Sequence, residues 1–296
     1  MSGVDRGAAS GSSRARAVRP AHLIQENATN LPFSLHTRNG DFRVAVDGAR
    51  DAPALILGNS LGTTLEMWQR QAEHFSARYR VVRYDTRGHG GSPVTPGPYG
   101  FDLLGEDVLA IMDALQIERA AFCGVSMGGH TALWLASHRA DRFLGAAVCN
   151  SAARIGSEQA WRERAGSVRQ GGSAAMQALA DSAPQRWFTE RYVAAHPGAV
   201  ACAQGWIAGV DPEGYASCCE ALATSDLREA QTGISIPVLL LAGAHDPVTT
   251  VADAQAMHEA IVGSALAVVP ASHLSNLEAP DAFHQAVDQF LARLPG

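Results

Sequence analysis

The chain of 296 residues contains no lysine, and its 23 basic residues are all arginine. This absence excludes Schiff-base chemistry and lysine nucleophiles, because both need a side-chain amine. Charged residues make up only 18% of the chain and the net charge is −6, so no basic field is present of the kind that contacts with many phosphates require. We therefore expect no nucleic-acid partner and a small molecule as the ligand.

Cysteines and long apolar runs are also scarce. The five cysteines are odd in number and none forms a C-x-x-C pair, which favours a reducing compartment. No apolar run approaches the ~20 residues of a membrane span, and the N-terminal stretch lacks the apolar segment of a secretory signal. These features predict a cytoplasmic protein with no membrane partner, and residues 1–30 are predicted to be a disordered extension.

Short apolar runs bounded by Gly, Asn or Asp alternate with segments of helical period from residue 54 onward. This rhythm predicts an α/β fold with a mostly parallel, doubly wound sheet covered by helices on both faces. Two short strands are expected before it, around the turn at Asn39-Gly40. The apolar runs lie at 54–57, 81–84, 120–123, 144–149, 238–242 and 265–269.

One long segment interrupts this alternation, because no strand-like run occurs between Asn150 and Ile236. A structureless loop of that size is improbable in a compact domain. We therefore predict a helical cap at residues 155–232, inserted into a core formed by residues 31–154 and 233–296. A cap above the carboxyl edge of the sheet is expected to shape a pocket.

The sequence Gly124-Val125-Ser126-Met127-Gly128 follows an apolar strand run and precedes a helical run. A serine on so tight a turn must tolerate strained backbone angles, and the two glycines let strand and helix pass closely. The start of the following helix directs free N–H groups and the positive end of its dipole toward an anion. Ser126 is therefore the predicted nucleophile.

A serine hydroxyl needs a base to take its proton, and the base needs a carboxylate to orient it. Asp246 follows the run 238–242 and His273 follows the run 265–269, so both lie at carboxyl ends of predicted strands. Taken singly, each is also compatible with a turn or a loop residue. Together with Ser126 they have the chain order serine, acid, histidine, and they predict a catalytic triad.

Three other histidines are alternative bases. His130 lies in the helix after Ser126, where a structural hydrogen bond is expected, and His245 directly precedes Asp246 and should point away from it. His89 lies in the glycine-rich segment 85–92, which has no lysine and opens no clean helix, so phosphate-binding motifs are excluded. That segment is expected to be a structural turn supporting the site.

The oxyanion of an acyl-transfer intermediate needs two preorganised N–H donors. We predict Met127, directly after the nucleophile, and Leu61, in the loop after the run 54–57. No His, Cys, Asp or Glu cluster has the spacing of zinc ligands, so no metal and no cofactor are expected.

Beyond the triad, several stretches resemble one family. Over residues 32–294 the chain resembles the α/β-hydrolase superfamily, and within it is similar to the 3-oxoadipate enol-lactonases of bacterial aromatic catabolism. Asn59-Ser60 stands where His-Gly is common elsewhere in the superfamily. This Asn-Ser pair is also similar to the lactonases. The resemblance implies ring opening of 3-oxoadipate enol-lactone to 3-oxoadipate in the cytoplasm, without metal or cofactor. The similar stretches are residues 57–64, 150–156, 186–189, 214–219 and 242–247.

A substrate that carries a carboxylate calls for a cation in the pocket, and here that cation must be arginine. Arg154, just beyond the run 144–149, is the first candidate and Arg186 in the predicted cap is the second. Trp134 and Trp187 are candidates for the pocket wall, with ordinary core packing as the alternative for each.

Fold and triad do not choose a substrate, so other functions stay open. One alternative is a carboxylesterase or another α/β-hydrolase acting on a small ester. Another is a ligand receptor on the same scaffold that does not turn over. We expect a monomer or a small homo-oligomer.

Overall fold

The computed structural model describes residues 1, 3 and 30–295. In these residues eight strands form one sheet in the order β1-β2-β4-β3-β5-β6-β7-β8. β2 pairs antiparallel with β1 and β4, and the other neighbours are parallel. The strands are β1 Phe33–Thr37, β2 Gly40–Asp47, β3 Ala54–Gly58, β4 Arg80–Tyr84, β5 Ala120–Val125, β6 Phe143–Cys149, β7 Val238–Gly243 and β8 Ala265–Val269.

Eleven α-helices are found in the same residues. They are α1 Gln69–Phe75, α2 Phe101–Ala114, α3 Met127–His138, α4 Glu158–Ser182, α5 Pro184–Trp187, α6 Glu190–Ala195, α7 Pro197–Ala208, α8 Pro212–Thr224, α9 Val251–Ala260, α10 Ser275–Glu278 and α11 Pro280–Leu291. None of the described helices is long and apolar enough to cross a membrane.

The central strands are buried along their whole length. Every residue of β3 and β5 is buried, as expected for parallel strands covered on both faces. Successive side chains point to opposite faces, so Leu55 and Leu57 belong to one apolar cluster and Ile56 to the other. Helices α1 and α11 contribute to the first cluster, and α2, α3 and α9 to the second. The prediction of a mostly parallel, doubly wound α/β sheet is confirmed.

The segment between β6 and β7 contains helices α4 to α8 and no strand among its described residues, in agreement with the predicted helical insertion. Helix α4 packs against α7 and α8 and is kinked at Gly172, whose φ is 54°. A Cβ added to Gly62, after β3, would lie 2.9 Å from Ile207 of α7. A Cβ on Gly88, after β4, would lie 2.6 Å from the Cα of Gly214 in α8. The helices therefore lie over the carboxyl ends of β3 and β4.

The exact cap boundaries of 155–232 stay a prediction, as does the division of the core. The predicted extension at residues 1–30 lies almost entirely outside the described residues.

Candidate active site

Ser126 occupies the turn between β5 and α3, with φ 58° and ψ −115°. A positive φ is strained for a residue with a side chain and persists only where surrounding contacts impose it. Here the Ser126 N–H donates to the Cys149 carbonyl at 2.9 Å, and the Ser126 carbonyl accepts from the His130 N–H at 2.9 Å and Ser151 Oγ at 2.8 Å. These hydrogen bonds fix the strained turn on both sides.

The glycines around Ser126 are needed for backbone contacts. A Cβ on Gly124 would clash with the carbonyl oxygen of Gly128, and a Cβ on Gly128 would clash with the carbonyl oxygen of Gly58. Strand β5, the start of α3 and the end of β3 therefore approach one another through backbone atoms alone. This is the physical reason for the glycine pattern that the sequence displays.

His273 and Asp246 form a buried pair. His273 Nδ1 lies 2.8 Å from Asp246 Oδ2, and the two residues are only 2% and 6% exposed. Asp246 Oδ1 accepts from the N–H groups of Val248 and Thr249 at 2.8 and 3.1 Å, and Oδ2 accepts from Asn150 Nδ2 at 2.9 Å.

The environment of Asp246 favours its ionised form. Burial alone raises the pKa of the Asp246 carboxyl, but the charge of His273 and hydrogen bonds from His273, Asn150 and Thr249 outweigh burial and bring the pKa below its ordinary value. An ionised carboxylate accepts the Nδ1–H of His273, which leaves Nε2 as the ring nitrogen that can exchange a proton with a neighbouring group. The pair thus has the chemistry of a general base.

A cavity of about 190 Å³ is lined by both Ser126 and His273. Ser126 and His273 therefore face the same cavity and Asp246 lies beside His273, although the three residues are far apart in the chain. The remaining wall is largely apolar and includes Trp187, Ile207 and Leu222 from the helices of the insertion. A hydroxyl and an imidazole in such a cavity can carry out acyl transfer.

The two predicted oxyanion donors lie on backbone segments beside Ser126. Met127 is the first residue of α3, where N–H groups have no acceptor within the helix. Leu61 lines the cavity and belongs to residues 58–63, which we call the oxyanion loop after the predicted role of Leu61. Because Gly128 touches the backbone of Gly58, this loop begins directly beside the start of α3.

Asn59, which the sequence marked as unusual, faces the core rather than the cavity. Its side-chain amide donates to the Tyr84 carbonyl at 2.8 Å, and its oxygen accepts from Trp68 Nε1 at 3.0 Å. Ser60, the next residue, lines the cavity. Asn59 therefore anchors the oxyanion loop while Ser60 contributes to the binding surface.

Two arginines line the cavity. Arg186 of α5 is half-buried, and both burial and the neighbouring charge of Arg164 lower the pKa of its guanidinium. Arg164 of α4 lies with its Cζ 4.8 Å from the centre of the Trp161 ring. Neither arginine forms an ion pair with a carboxylate in the part of the chain that the structure describes. An anionic group entering the cavity would meet two cations without carboxylate partners.

Arg164 was missed by sequence reasoning. The available signal was its spacing of three residues from Trp161, which puts both on one face of α4. Nothing in the sequence, however, indicated that this face turns toward Ser126, because the orientation of α4 depends on its packing against α7 and α8.

The prediction that Arg154 lies in the substrate pocket is wrong. Arg154 is exposed, lies 3.4 Å from Asp226 in an ion pair, and is absent from the cavity wall. The chain after β6 buries Ile155 in that wall and turns the preceding side chain outward.

The prediction that Trp134 lines the pocket is also wrong. Its ring stacks on His138 with centroids 4.7 Å apart and packs over Gly105 of α2, away from the cavity. The core-packing alternative therefore holds for Trp134, whereas Trp187 lies in the cavity wall.

The three alternative bases lie in other environments. His130 Nδ1 lies 2.8 Å from the Ala152 carbonyl and Nε2 lies 2.7 Å from Ser225 Oγ. His89 Nε2 accepts from the Gly62 N–H, and His245 lines a separate surface groove. None of them lines the cavity of Ser126. Across residues 1, 3 and 30–295, no group of three His, Cys, Asp or Glu side chains could bind a metal ion.

The loop that carries His273 is hydrogen-bonded to the helical insertion. The Leu274 N–H donates to the Trp187 carbonyl at 3.0 Å. The Glu278 carboxylate accepts from the Ser272 N–H at 2.9 Å and from the Thr189 N–H and hydroxyl. Both neighbours of His273 are thus connected to the segment that carries Trp187.

Comparisons with known proteins agree with this architecture. A family model described as alpha/beta hydrolase fold matches residues 53–196, and one described as TAP-like protein matches residues 213–294. The chain is 51% identical over 249 residues to 3-oxoadipate enol-lactonase 2 of Acinetobacter baylyi, covering 84% of this chain and 92% of that protein. It is 45% identical over 248 residues to 3-oxoadipate enol-lactonase 1 of the same organism, with the same coverage.

Solved structures give the same result. The crystal structure of the enol-lactonase from Burkholderia xenovorans is 44% identical with a TM-score of 0.85, covering 88% of this chain and 100% of that chain. A thermophilic esterase from Thermogutta terrifontis is 26% identical with a TM-score of 0.81, covering 89% of this chain and 99% of that chain. The chain therefore belongs to the α/β-hydrolase superfamily and, within it, to the enol-lactonase family.

Proposed function

We propose that this protein hydrolyses 3-oxoadipate enol-lactone to 3-oxoadipate, with Ser126, His273 and Asp246 as the catalytic triad. The observation that carries the proposal is that two arginines without carboxylate partners share the cavity with Ser126 and His273. This site suits a small ester that carries a carboxylate, as the enol-lactone does. The 51% identity to an enol-lactonase supports the same choice.

The reaction begins with attack of Ser126 Oγ on the lactone carbonyl while His273 Nε2 takes the hydroxyl proton. The carboxylate of Asp246 stabilises the imidazolium that forms, and the N–H groups of Leu61 and Met127 bind the tetrahedral oxyanion. Collapse breaks the bond to the ring oxygen, and the imidazolium returns the proton to that oxygen. The enol formed by ring opening tautomerises to a ketone, which favours the forward direction.

The second half of the reaction cleaves the acyl-enzyme. Because the leaving group of a lactone is part of the same molecule, the whole substrate stays bound to Ser126 after ring opening. His273 then takes a proton from a water molecule, which attacks the ester carbonyl, and the imidazolium protonates Ser126 Oγ as the bond breaks. The product carries two carboxylates, one of which is new.

The carboxylate of the substrate is proposed to bind Arg164 and Arg186. Arginine presents a planar fork that matches a carboxylate with two parallel hydrogen bonds. Burial, and after it the neighbouring charge of Arg164, lowers the pKa of Arg186, and an anion bound in this cavity would offset both effects. The apolar wall with Trp187 and Ile207 contacts the ring.

The decisive experiment measures turnover of purified enzyme on 3-oxoadipate enol-lactone and on 4-nitrophenyl acetate. We expect many turnovers per enzyme molecule on the lactone and a higher kcat/KM than on the uncharged ester. A higher kcat/KM on the acetate would favour a general carboxylesterase. A single acylation without turnover would favour a ligand receptor.

We further propose a cytoplasmic location, as the odd number of cysteines suggests. All five cysteines are free thiols, and only Cys202 is exposed. A monomer or small homo-oligomer stays a prediction.

A further inference from the structure

The oxyanion loop is fixed by side chains that do not line the cavity. The Leu61 N–H belongs to the peptide group between Ser60 and Leu61. The carbonyl of this group accepts from the Thr63 N–H at 3.2 Å and from Thr63 Oγ1 at 2.8 Å. The carbonyl and N–H of a trans peptide point in opposite directions. Holding the carbonyl toward buried Thr63 therefore turns the Leu61 N–H away from Thr63, and Ser60 and Leu61 both line the cavity.

The next peptide group is fixed by His89. The Gly62 N–H donates to His89 Nε2 at 2.9 Å, so this nitrogen must be unprotonated. The proton of the neutral ring is then on Nδ1, which lies 3.3 Å from the Arg87 carbonyl. His89 is 1% exposed, and burial lowers its pKa to about 4, so the ring is neutral at physiological pH. The two partners therefore both suit the tautomer of His89 that carries its proton on Nδ1.

The segment that carries His89 is itself rigidly held. The Asp85 carboxylate accepts from the Leu65 N–H at 2.7 Å and from the Gly91 N–H at 3.0 Å. Gly88 meets Gly214 of α8 so closely that a Cβ on either would clash with the other backbone. His89 therefore connects the oxyanion loop to a segment that is packed against the helical insertion.

We propose that His89 is a positioning residue for the hydrolytic reaction, and that it acts through the Gly62 N–H to orient the Leu61 N–H toward the oxyanion. The inference rests on the proposed function, because it assigns the oxyanion to Leu61. The side chain of His89 does not line the cavity, so His89 does not touch the substrate. Its effect falls on the negative charge that develops in the transition state rather than on substrate binding.

The test uses His89→Leu, which removes the acceptor, and His89→Gln, which restores an acceptor on a neutral side chain. His130→Leu is the matched control, because His130 is also 1% exposed, has its pKa lowered to about 4 by burial, and bonds through both ring nitrogens away from the oxyanion loop. For each variant kcat, KM and the melting temperature are measured with 4-nitrophenyl acetate and with the enol-lactone. Inhibition constants for a boronic acid, which forms a tetrahedral adduct with serine, and for the product acid are measured as well.

We expect His89→Leu to lower kcat about 100-fold with KM within about threefold, as for the loss of one oxyanion donor. The boronic acid should bind correspondingly more weakly while the product acid binds as before. His89→Gln should recover most of kcat. His130→Leu should lower the melting temperature without this selective loss.

Equal losses of kcat in His89→Leu and His130→Leu at equal melting temperature would overturn the inference, as would unchanged kcat in a folded His89→Leu. If His89→Leu does not fold, His89→Phe removes the same acceptor for the Gly62 N–H while keeping a ring of similar shape. Unchanged kcat in a folded His89→Phe would then overturn the inference. The aryl ester separates the two hypotheses, because wild-type turnover of the ester without turnover of the lactone refutes only the proposed substrate.

Discussion

Replacing either cavity arginine should separate recognition of the substrate carboxylate from catalysis. Arg164→Gln and Arg186→Gln keep most of the side-chain length and remove the charge. A hydrogen bond to a charged group contributes about 1.5–3 kcal/mol, and about 1.4 kcal/mol corresponds to a factor of ten. Each variant is therefore expected to lose about 10- to 150-fold in kcat/KM on the enol-lactone.

The assay compares a substrate that carries a carboxylate with one that carries no charge. Loss of absorbance of the enol-lactone reports the charged substrate, and release of 4-nitrophenol from its acetate reports an uncharged one. Because the acetate has no carboxylate to bind, its kcat/KM should change by no more than about threefold in either variant. The ratio of the two values isolates the interaction with the carboxylate.

Arg154→Gln is the matched control for this experiment. Arg154 is exposed and ion-paired with Asp226 outside the cavity, so both substrates should be hydrolysed as by the wild type. Equal losses on the lactone and the acetate in Arg164→Gln and Arg186→Gln would refute carboxylate recognition by these arginines. A selective loss in Arg154→Gln would refute the assignment of the cavity as the lactone site.

Three further predictions concern Ser126 and Asp246 of the proposed triad and Glu278, which binds the loop that carries His273. Ser126→Ala should lower kcat by about 10⁴-fold or more while circular dichroism stays that of the wild type, and near-normal turnover would exclude Ser126 as nucleophile. Because the pKa of Asp246 is lowered in the folded state, its ionisation stabilises the fold above the ordinary carboxyl pKa, and this contribution disappears as the pH falls through the lowered value. Urea unfolding should show that the stability advantage of wild type over Asp246→Asn shrinks below about pH 4, and a constant difference would contradict this. Glu278→Ala should lower the free energy of unfolding by about 1–3 kcal/mol, because it leaves the Ser272 and Thr189 N–H groups without their acceptor, and urea unfolding showing no loss would contradict that role.

The sheet and the local turn around Ser126 could be predicted because their signals are local. Full burial makes β3 and β5 continuous apolar runs. The glycines at 124 and 128 follow from backbone contacts that exclude a Cβ. Asp246 and His273 could be proposed because parallel strands of such a sheet end at one edge.

The side chains that line the cavity were less predictable from the sequence. Arg154 and Trp134 have the right chemistry and lie near predicted site elements, yet the first points outward to Asp226 and the second packs on Gly105. Arg164 instead reaches the cavity because α4 packs on α7 and α8 over the sheet edge. Such placement depends on contacts between distant elements, which residue spacing does not encode.

The amino-acid sequence by itself determined the alternating strands and helices, the glycine-dependent turn at Ser126 and the chain order of the three residues proposed as a triad. These features depend on hydrophobic period, on backbone sterics and on the order of residues along the chain, which can all be read without knowing how distant elements pack. Only the tertiary structure decided which arginines face the cavity and that His89 bonds to Gly62 of the oxyanion loop. The physical reason is that the direction of a side chain, and the partner of a buried polar atom, depend on how separate elements pack together.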